Sequence, residues 1–68
     1  MGEVKVYVIR GMSCEHCRAA VERELRAVPG VEEVKVDLAR GTAEVRFAGP
    51  ADDEAVRRAV QEAGYEVA

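Results

Sequence analysis

Cys14 and Cys17 are the only cysteines of this 68-residue chain, and they lie three positions apart. Thiolates are the ligands that soft metal ions such as Cu(I) and Zn(II) prefer. Two thiolates this close in sequence can bind one ion if the backbone between them turns, and Gly11 shortly before them permits tight turning. The pair therefore marks the segment of the chain that can carry out soft-metal chemistry.

A predicted helix begins at the cysteine pair. Ser13 is the expected N-cap, because its hydroxyl can accept a hydrogen bond from a free backbone N–H at the helix start. The helix then begins at Cys14, and Cys17 lies about one turn further on. The positive end of the helix dipole favours thiolate over thiol at this helix start.

Apolar patterns predict six elements along the chain. Val4, Val6 and Val8 predict the apolar face of a first strand, and Tyr7 and Ile9 give partial cover on its other face. The remaining elements are a helix over residues 14–28, a strand over 31–38, a strand around 43–47, a helix from about 52 that ends at Gly64, and a short strand at 65–67. A turn at 39–42 joins the two middle strands, with Gly41 expected at positive φ.

The element order predicts the fold class. Strand, helix, strand, strand, helix, strand indicates an α+β fold, the ferredoxin-like βαββαβ sandwich, in which two helices cover one face of a four-stranded antiparallel sheet. No linker interrupts the pattern, and a chain of this length supports one small core. Residues 1–68 are therefore expected to form a single domain.

Charge and composition exclude several classes of function. The net charge is −3, with five basic and six acidic side chains in residues 1–34 and five and seven in residues 35–68. No basic stripe exists, so no nucleic-acid partner is expected. No segment reaches the ~20 apolar residues that span a bilayer, and no secretory signal is visible, so no membrane insertion is expected. The expected location is the cytoplasm, where thiols stay reduced.

A seven-residue segment carries a resemblance to a known family. It matches the GMxCxxC motif of the heavy-metal-associated domains, which the chain resembles over essentially all of its 68 residues: Gly11-Met12-Ser13-Cys14-Glu15-His16-Cys17. Two further matches follow the predicted helices, Val28-Pro29-Gly30-Val31 and Ala63-Gly64-Tyr65. Within the family, the chain is most similar to bacterial copper chaperones.

The resemblance implies roles for individual residues. It implies that Cys14 and Cys17 bind Cu(I) as thiolates in near-linear geometry, open to a third ligand. It also implies that Met12 is buried and shapes the loop without binding metal, and that Tyr65 lies beside the site. Ser13 favours copper, because zinc-transporting relatives tend to carry an acidic residue beside the first cysteine.

The residues themselves leave alternatives open at the cysteine pair. His16 should point away from an ion held by its neighbours and remain a solvated imidazole, or it can act as an occasional ligand or tune the thiolate charge. The pair can instead be a redox dithiol, although thioredoxin-like enzymes need a longer scaffold. A structural zinc site normally needs four protein ligands, one more than Cys14, Cys17 and His16 supply.

The outer face of the first helix also has two interpretations. Arg18, Arg23 and Arg26 can form a docking surface for an acidic partner, or a solvated face that Glu22 and Glu24 interrupt.

The predicted function is a non-enzymatic Cu(I) chaperone that passes its ion, by thiolate exchange, to the metal-binding domain of a copper-transporting P-type ATPase. A copper-bridged homodimer is also expected, with His16 and Tyr65 lining its contact. The first alternative is a metal-binding domain excised from such an ATPase, and the second is a mercury-binding protein of the same fold. Tyr65 favours the chaperone, because the resembled transporter domains more often carry Phe at that position.

Overall fold

Four strands and two helices follow one another in the predicted order. The structure, a computed structural model, describes residues 2–68. The elements are β1 (Val4–Arg10), α1 (Glu15–Arg26), β2 (Val31–Asp37), β3 (Thr42–Phe47), α2 (Asp53–Glu62) and β4 (Glu66–Val67). The strands form one antiparallel sheet in the order β2-β3-β1-β4. The predicted α+β, ferredoxin-like fold is thereby confirmed.

The core lies between the two helices and one face of the sheet. Its largest fully buried side chains are Phe47, Leu25, Val21, Val45, Val56 and Val60. Helix α2 contributes Val56, Ala59 and Val60 to this core. No helix in residues 2–68 is long and apolar enough to cross a bilayer.

The structure corrects the predicted orientation of β1. Val4, Val6 and Val8 are 54%, 62% and 52% exposed, whereas Tyr7 and Ile9 are buried against the helices. Alternate residues of a strand face opposite sides, and both sides of β1 carry apolar residues, so the alternation did not decide between them. Tyr7 and Ile9 are the larger side chains, and burying them removes more apolar surface from water.

Strand β2 and its turn differ slightly from the prediction. β2 ends at Asp37 rather than at residue 38, and its pairing with β3 shifts register between Val31 and Glu33. The shift explains how Val31 and Val34, three positions apart, both contact the core. Gly41 has the predicted positive φ, at 66°.

The helix bounds are also narrower than predicted at α1. α1 spans Glu15–Arg26 instead of 14–28, and the chain turns after Arg26. Val28 is nevertheless buried, and its backbone N–H bonds to the carbonyl of Leu25. At the end of α2, Ala63 is the C-cap and Gly64 follows at φ 95°, as expected for a terminating glycine.

Candidate metal centre

The loop between β1 and α1 carries both cysteines. β1 ends at Arg10, and Gly11 turns the chain with a φ of 95°, in the left-handed region that favours glycine. Met12 is half-buried and packs against the core, which anchors the loop to the fold. The cysteines therefore lie on a loop that is exposed at its tip and fixed at its base.

Ser13 does not cap the helix, so that prediction is wrong. Cys14 is the N-cap, with extended backbone angles (φ −153°, ψ 171°) and no capping hydrogen bond from its side chain. Because Cys14 is extended, α1 begins one residue later than predicted, at Glu15. Cys17 consequently lies at the third helical position, still within the first turn.

The two thiols lie next to each other at the surface. The Cys14 and Cys17 sulfurs are 3.3 Å apart, and both residues are free thiols. Cys14 is exposed and Cys17 is half-buried. The predicted proximity of the two sulfurs is thus present, and the sulfurs differ in their accessibility.

Hydrogen bonding favours the ionised form of Cys17. It lowers the pKa of the Cys17 thiol to about 6, mainly through a backbone hydrogen bond from Ser13, and further through the side chains of Tyr65 and Cys14. Ser13 therefore acts on the site through its backbone rather than through its hydroxyl. With this pKa, Cys17 is largely a thiolate at neutral pH.

Tyr65 reaches the site from the other half of the chain. The turn after α2 and the pairing of Glu66 with Arg10 place Tyr65 beside the loop, as the sequence predicted. The pKa of Tyr65 is raised, mainly by hydrogen bonding with Cys17 and further by burial and by the nearby sulfur charges. Tyr65 thus extends from the core to the more buried of the two thiols.

His16 lies on the outside of the site. It is exposed and lines a shallow depression with Glu15 and Ala19. Within residues 2–68, no three His, Cys, Asp or Glu side chains are grouped closely enough to hold a metal ion. Among the described residues, the ligands available to an ion at this site are the sulfurs of Cys14 and Cys17.

The arginines of α1 are largely paired within the helix. Arg18 forms ion pairs with Glu15 at 2.6 Å and with Glu22 at 3.0 Å, and Arg26 pairs with Glu22 at 3.0 Å. The charges of Arg18 and Arg26 are therefore offset locally. Of the two interpretations of this face, the contacts favour the solvated one.

Sequence reasoning missed one close contact of the site. The backbone of Gly11 lies directly beside the ring of Tyr65, so that a Cβ at Gly11 would come within 3.3 Å of the ring. The two residues are far apart in the chain, and only the pairing of β1 with β4 brings them together. The glycine in the motif was the one local signal of such a close approach.

Comparisons with known proteins agree with this geometry. The profile of the heavy-metal-associated domain matches residues 6–66. Copper chaperone CopZ of Bacillus subtilis is 37% identical and covers 97% of each chain. Copper-transporting ATPase 1 of Rhizobium meliloti is 42% identical over 94% of this chain, which spans only 8% of that ATPase.

Solved structures share the fold over nearly the whole chain. A CopZ metallochaperone superposes with a TM-score of 0.88 at 29% identity, covering 97% of this chain and 100% of its own. Oxidized MerP from Ralstonia metallidurans CH34 superposes with a TM-score of 0.89 at 26% identity, covering 100% of this chain and 96% of its own.

Proposed function

The chain belongs to the heavy-metal-associated domain family, and on that premise we propose that it is a chaperone that carries Cu(I) between Cys14 and Cys17. The observation that carries the proposal is a pair of adjacent free thiols at the surface without a third ligand among the described residues. Cu(I) is soft and accepts low coordination by thiolates, whereas Zn(II) prefers four ligands in a tetrahedron. The names of the copper chaperones and copper ATPases to which the chain is similar point to the same metal.

The two sulfurs have to move further apart to bind an ion between them. Metal–thiolate bonds of about 2.3 Å place two sulfurs up to about 4.6 Å apart when the geometry is linear. The sulfurs are 3.3 Å apart without metal. Because Cys14 is exposed and makes no capping bond, rotation of its side chain can supply the difference.

Transfer then proceeds by exchange of thiolates. A two-coordinate ion leaves room for an incoming thiolate, so ligands can be replaced one at a time and free copper is never released. Cys14 is the more accessible sulfur, so the partner's incoming thiolate would replace Cys14 on the ion first, and Cys17, which lies nearer the core, would be replaced second. No bond within a substrate is formed or broken, so the proposed activity is carriage rather than catalysis.

The proposed partner is the metal-binding domain of a copper-transporting P-type ATPase, in the cytoplasm. A second candidate function is that of such a domain itself, because the Rhizobium ATPase is 42% identical to this chain. The mass of the native polypeptide, detected in cell extracts with an antibody against this domain, separates the two. A band near the 7.4 kDa of this chain supports the chaperone, and a band of ATPase size supports the second candidate.

The choice of metal is tested by anaerobic titration. Reduced protein is titrated with Cu(I), Ag(I), Zn(II) and Hg(II), each against a chelator of known affinity. We expect one Cu(I) per chain, similar behaviour of Ag(I), and much weaker Zn(II). Zn(II) that outcompetes Cu(I) at neutral pH would exclude the copper assignment, and Hg(II) in preference to Cu(I) would favour a mercury-binding protein.

Direct transfer is tested with an acceptor domain from a copper ATPase. We expect the rate of copper transfer to rise with acceptor concentration, because the partner's thiolate attacks the bound ion. An acceptor whose two cysteines are replaced by serine is the control. A rate that is independent of acceptor concentration would indicate dissociation of free copper and would contradict the exchange mechanism.

Copper should also favour a dimer in which the two chains share the ion. Sedimentation of apo and Cu(I)-loaded protein at equal concentration, without glutathione, tests this expectation. Loading should increase the mass, and the increase should diminish on acidification, because protons compete with the ion for the thiolates. Loaded protein that stays monomeric at every copper ratio would indicate a closed mononuclear site.

A further inference from the structure

A surface groove of about 250 Å³ lies between the two helices. Its floor is apolar and is made of small or rigid side chains: Ala27, Val28, Pro29, Ala55 and Ala59. Val28 and Ala59 are buried in the core, whereas Ala27 is exposed on the far side of α1. Because the distance between packed helices depends on the side chains at the contact, a floor of alanines lets another helix approach closely.

The rim of the groove carries three charged side chains, Glu24, Arg58 and Glu62. Within residues 2–68, the structure records no ion pair for any of the three. Arg58 and Glu62 are one helical turn apart, but a basic residue before an acidic one is the less favourable order for a pair within a helix. The charges of the rim are therefore available to groups outside the chain.

The other carboxylate and arginine side chains of the two helices have partners, with one exception. The paired ones are Glu15, Arg18, Glu22 and Arg26 on α1 and Asp53, Glu54 and Arg57 on α2. The exception in the described part of the chain is Arg23, which adjoins Glu24. The unpaired charges of the helix layer are thus two positive and two negative, and they lie at or next to the groove.

We propose that this groove is the contact surface of a dimer that forms without copper, in which a second copy of the chain packs its helices across it. A two-fold axis along the groove puts α1 of each copy over α2 of the other. Each Arg58 then meets Glu24 of the second copy, so the same attraction occurs twice. A surface with equal numbers of both signs is complementary to itself, whereas a uniformly acidic or basic partner would meet repulsion at half of the charges.

The contact is small, so the association is weak and transient. A helix of ten residues, such as α2, is about 15 Å long, and two helix pairs of this length bury well under the roughly 800 Å² per partner of a standard-size interface. With little apolar area available, the charge contacts at the rim decide whether the copies associate.

The dimer leaves the cysteine loop of each copy accessible. Glu24 lies about two turns along α1 from Cys17, a rise of about 10 Å. The helix-face contact therefore differs from the copper-shared dimer, in which the two cysteine loops meet.

Sedimentation equilibrium of the reduced apo protein, with a metal chelator present, tests the inference from about 0.02 to about 2 mM. The average mass should rise with concentration above the 7.4 kDa of one chain. Arg58→Glu and Glu24→Arg should each weaken self-association by about tenfold, because the two-fold axis applies every change twice. Arg57→Glu is the matched control: it makes the same charge change on the same helix, but Arg57 pairs with Glu54 and does not line the groove.

Mixing the two reversed variants gives the sharpest test. Arg58→Glu presents carboxylates at both contact positions and Glu24→Arg presents guanidinium groups at both, so the mixed pair is attractive where each variant alone is repulsive. The mixture should associate more tightly than either variant at the same total concentration. Overall charge does not explain such a gain, because each reversal changes the net charge of −3 by two and both variants stay negative.

Three results would overturn the inference: a wild-type apo protein that stays monomeric over the whole range, an Arg58→Glu variant that associates as tightly as Arg57→Glu, or a mixture no tighter than its components. Circular dichroism checks that every variant is folded. Because all of these measurements are made without metal, their failure leaves the proposed copper carriage standing, and failure of the wild-type protein to bind Cu(I) leaves the helix-face dimer standing.

Discussion

The two helices begin in different ways, although each follows a strand in the same strand–helix arrangement. At α2, the Asp52 side chain accepts a hydrogen bond from the backbone N–H of Ala55 at 3.1 Å, and Asp53 accepts one from the Tyr7 hydroxyl at 2.7 Å. At α1, Cys14 occupies the cap position without a capping bond from its side chain. The second helix start is tied to the fold by oxygen atoms, and the first presents sulfur to solvent.

The comparison shows what a helix start gives up when it carries a soft-metal site. A side-chain cap is typically worth about 1 kcal/mol, and α1 forgoes it. In exchange, a backbone hydrogen bond from Ser13, followed by the side chains of Tyr65 and Cys14, lowers the pKa of the Cys17 thiol to about 6. Polar groups that would stabilise an ordinary helix start instead favour a thiolate.

Replacing either cysteine should give the largest effect and remove the chemical function of the first helix start. Cys14→Ser and Cys17→Ser each leave a single thiolate, because the chain has no other cysteine. We expect Cu(I) affinity to fall by more than ~100-fold, beyond the usual loss from a supporting residue. Competition against a chelator measures the affinity, and circular dichroism checks that the fold is retained.

Ser13→Ala is the matched control for the cysteine variants. This substitution changes a neighbouring side chain of the same loop but leaves both sulfurs, so the Cu(I) affinity of the variant should remain close to that of the wild type. A single cysteine variant that competes as well as wild type would contradict the assignment of the ligands. Cys17→Ser should cost more stability than Cys14→Ser, because Cys17 is the more buried residue.

The same comparison explains which features could be predicted from the sequence. The element order and the Gly41 turn depend on local patterns, and they were predicted correctly. Both faces of β1 are apolar, so only the packed structure shows that Tyr7 and Ile9 face the helices. The resemblance placed Tyr65 beside the site, but its close contact with Gly11 follows from long-range strand pairing that no local pattern encodes.

The two helix starts also show the limit of prediction from local sequence patterns. Ser13 and Cys14 are adjacent, and either residue can occupy an N-cap; serine has the better acceptor, but the chain adopts extended angles at Cys14. At α2, the helix was expected from about residue 52, and it begins at Asp53 after an Asp52 cap. Both helix starts were thus predicted to within about one residue, but the cap residue expected at α1 was wrong.

The cap difference itself predicts a medium-sized effect on stability. Asp52→Ala removes the only capping side chain of the two, and should lower the free energy of unfolding by about 1 kcal/mol. Ser13→Ala should change it by less than about 0.5 kcal/mol, because the Ser13 hydroxyl caps nothing. Urea unfolding at pH 7 measures both. Equal losses in the two variants would show that the helix starts do not differ as described.

The smallest expected effect concerns the hydrogen bond between Asp53 and Tyr7 of β1. Tyr7→Phe deletes the hydrogen bond to Asp53 and leaves the ring in the core, at a cost of about 0.5–1 kcal/mol because the carboxylate is solvent-exposed. That bond, and the nearby Lys5 charge, lower the pKa of Asp53, while burial and the same bond raise the pKa of Tyr7. The stabilisation from this hydrogen bond therefore depends on an ionised Asp53.

The direction of the pH effect follows from the lowered pKa of Asp53. A carboxylate with a folded-state pKa below its unfolded value stabilises the fold fully above the unfolded pKa, about 3.9, and loses that contribution as the pH falls through the folded pKa. The stability difference between wild type and Tyr7→Phe should accordingly be constant from pH 7 to pH 5 and shrink below pH 4. Tyr65→Phe makes the same chemical change away from any carboxylate partner, so its effect should not shrink in that acidic range. A Tyr7→Phe difference that stays constant down to pH 2 would show that the bond to Asp53 does not need the ionised carboxylate.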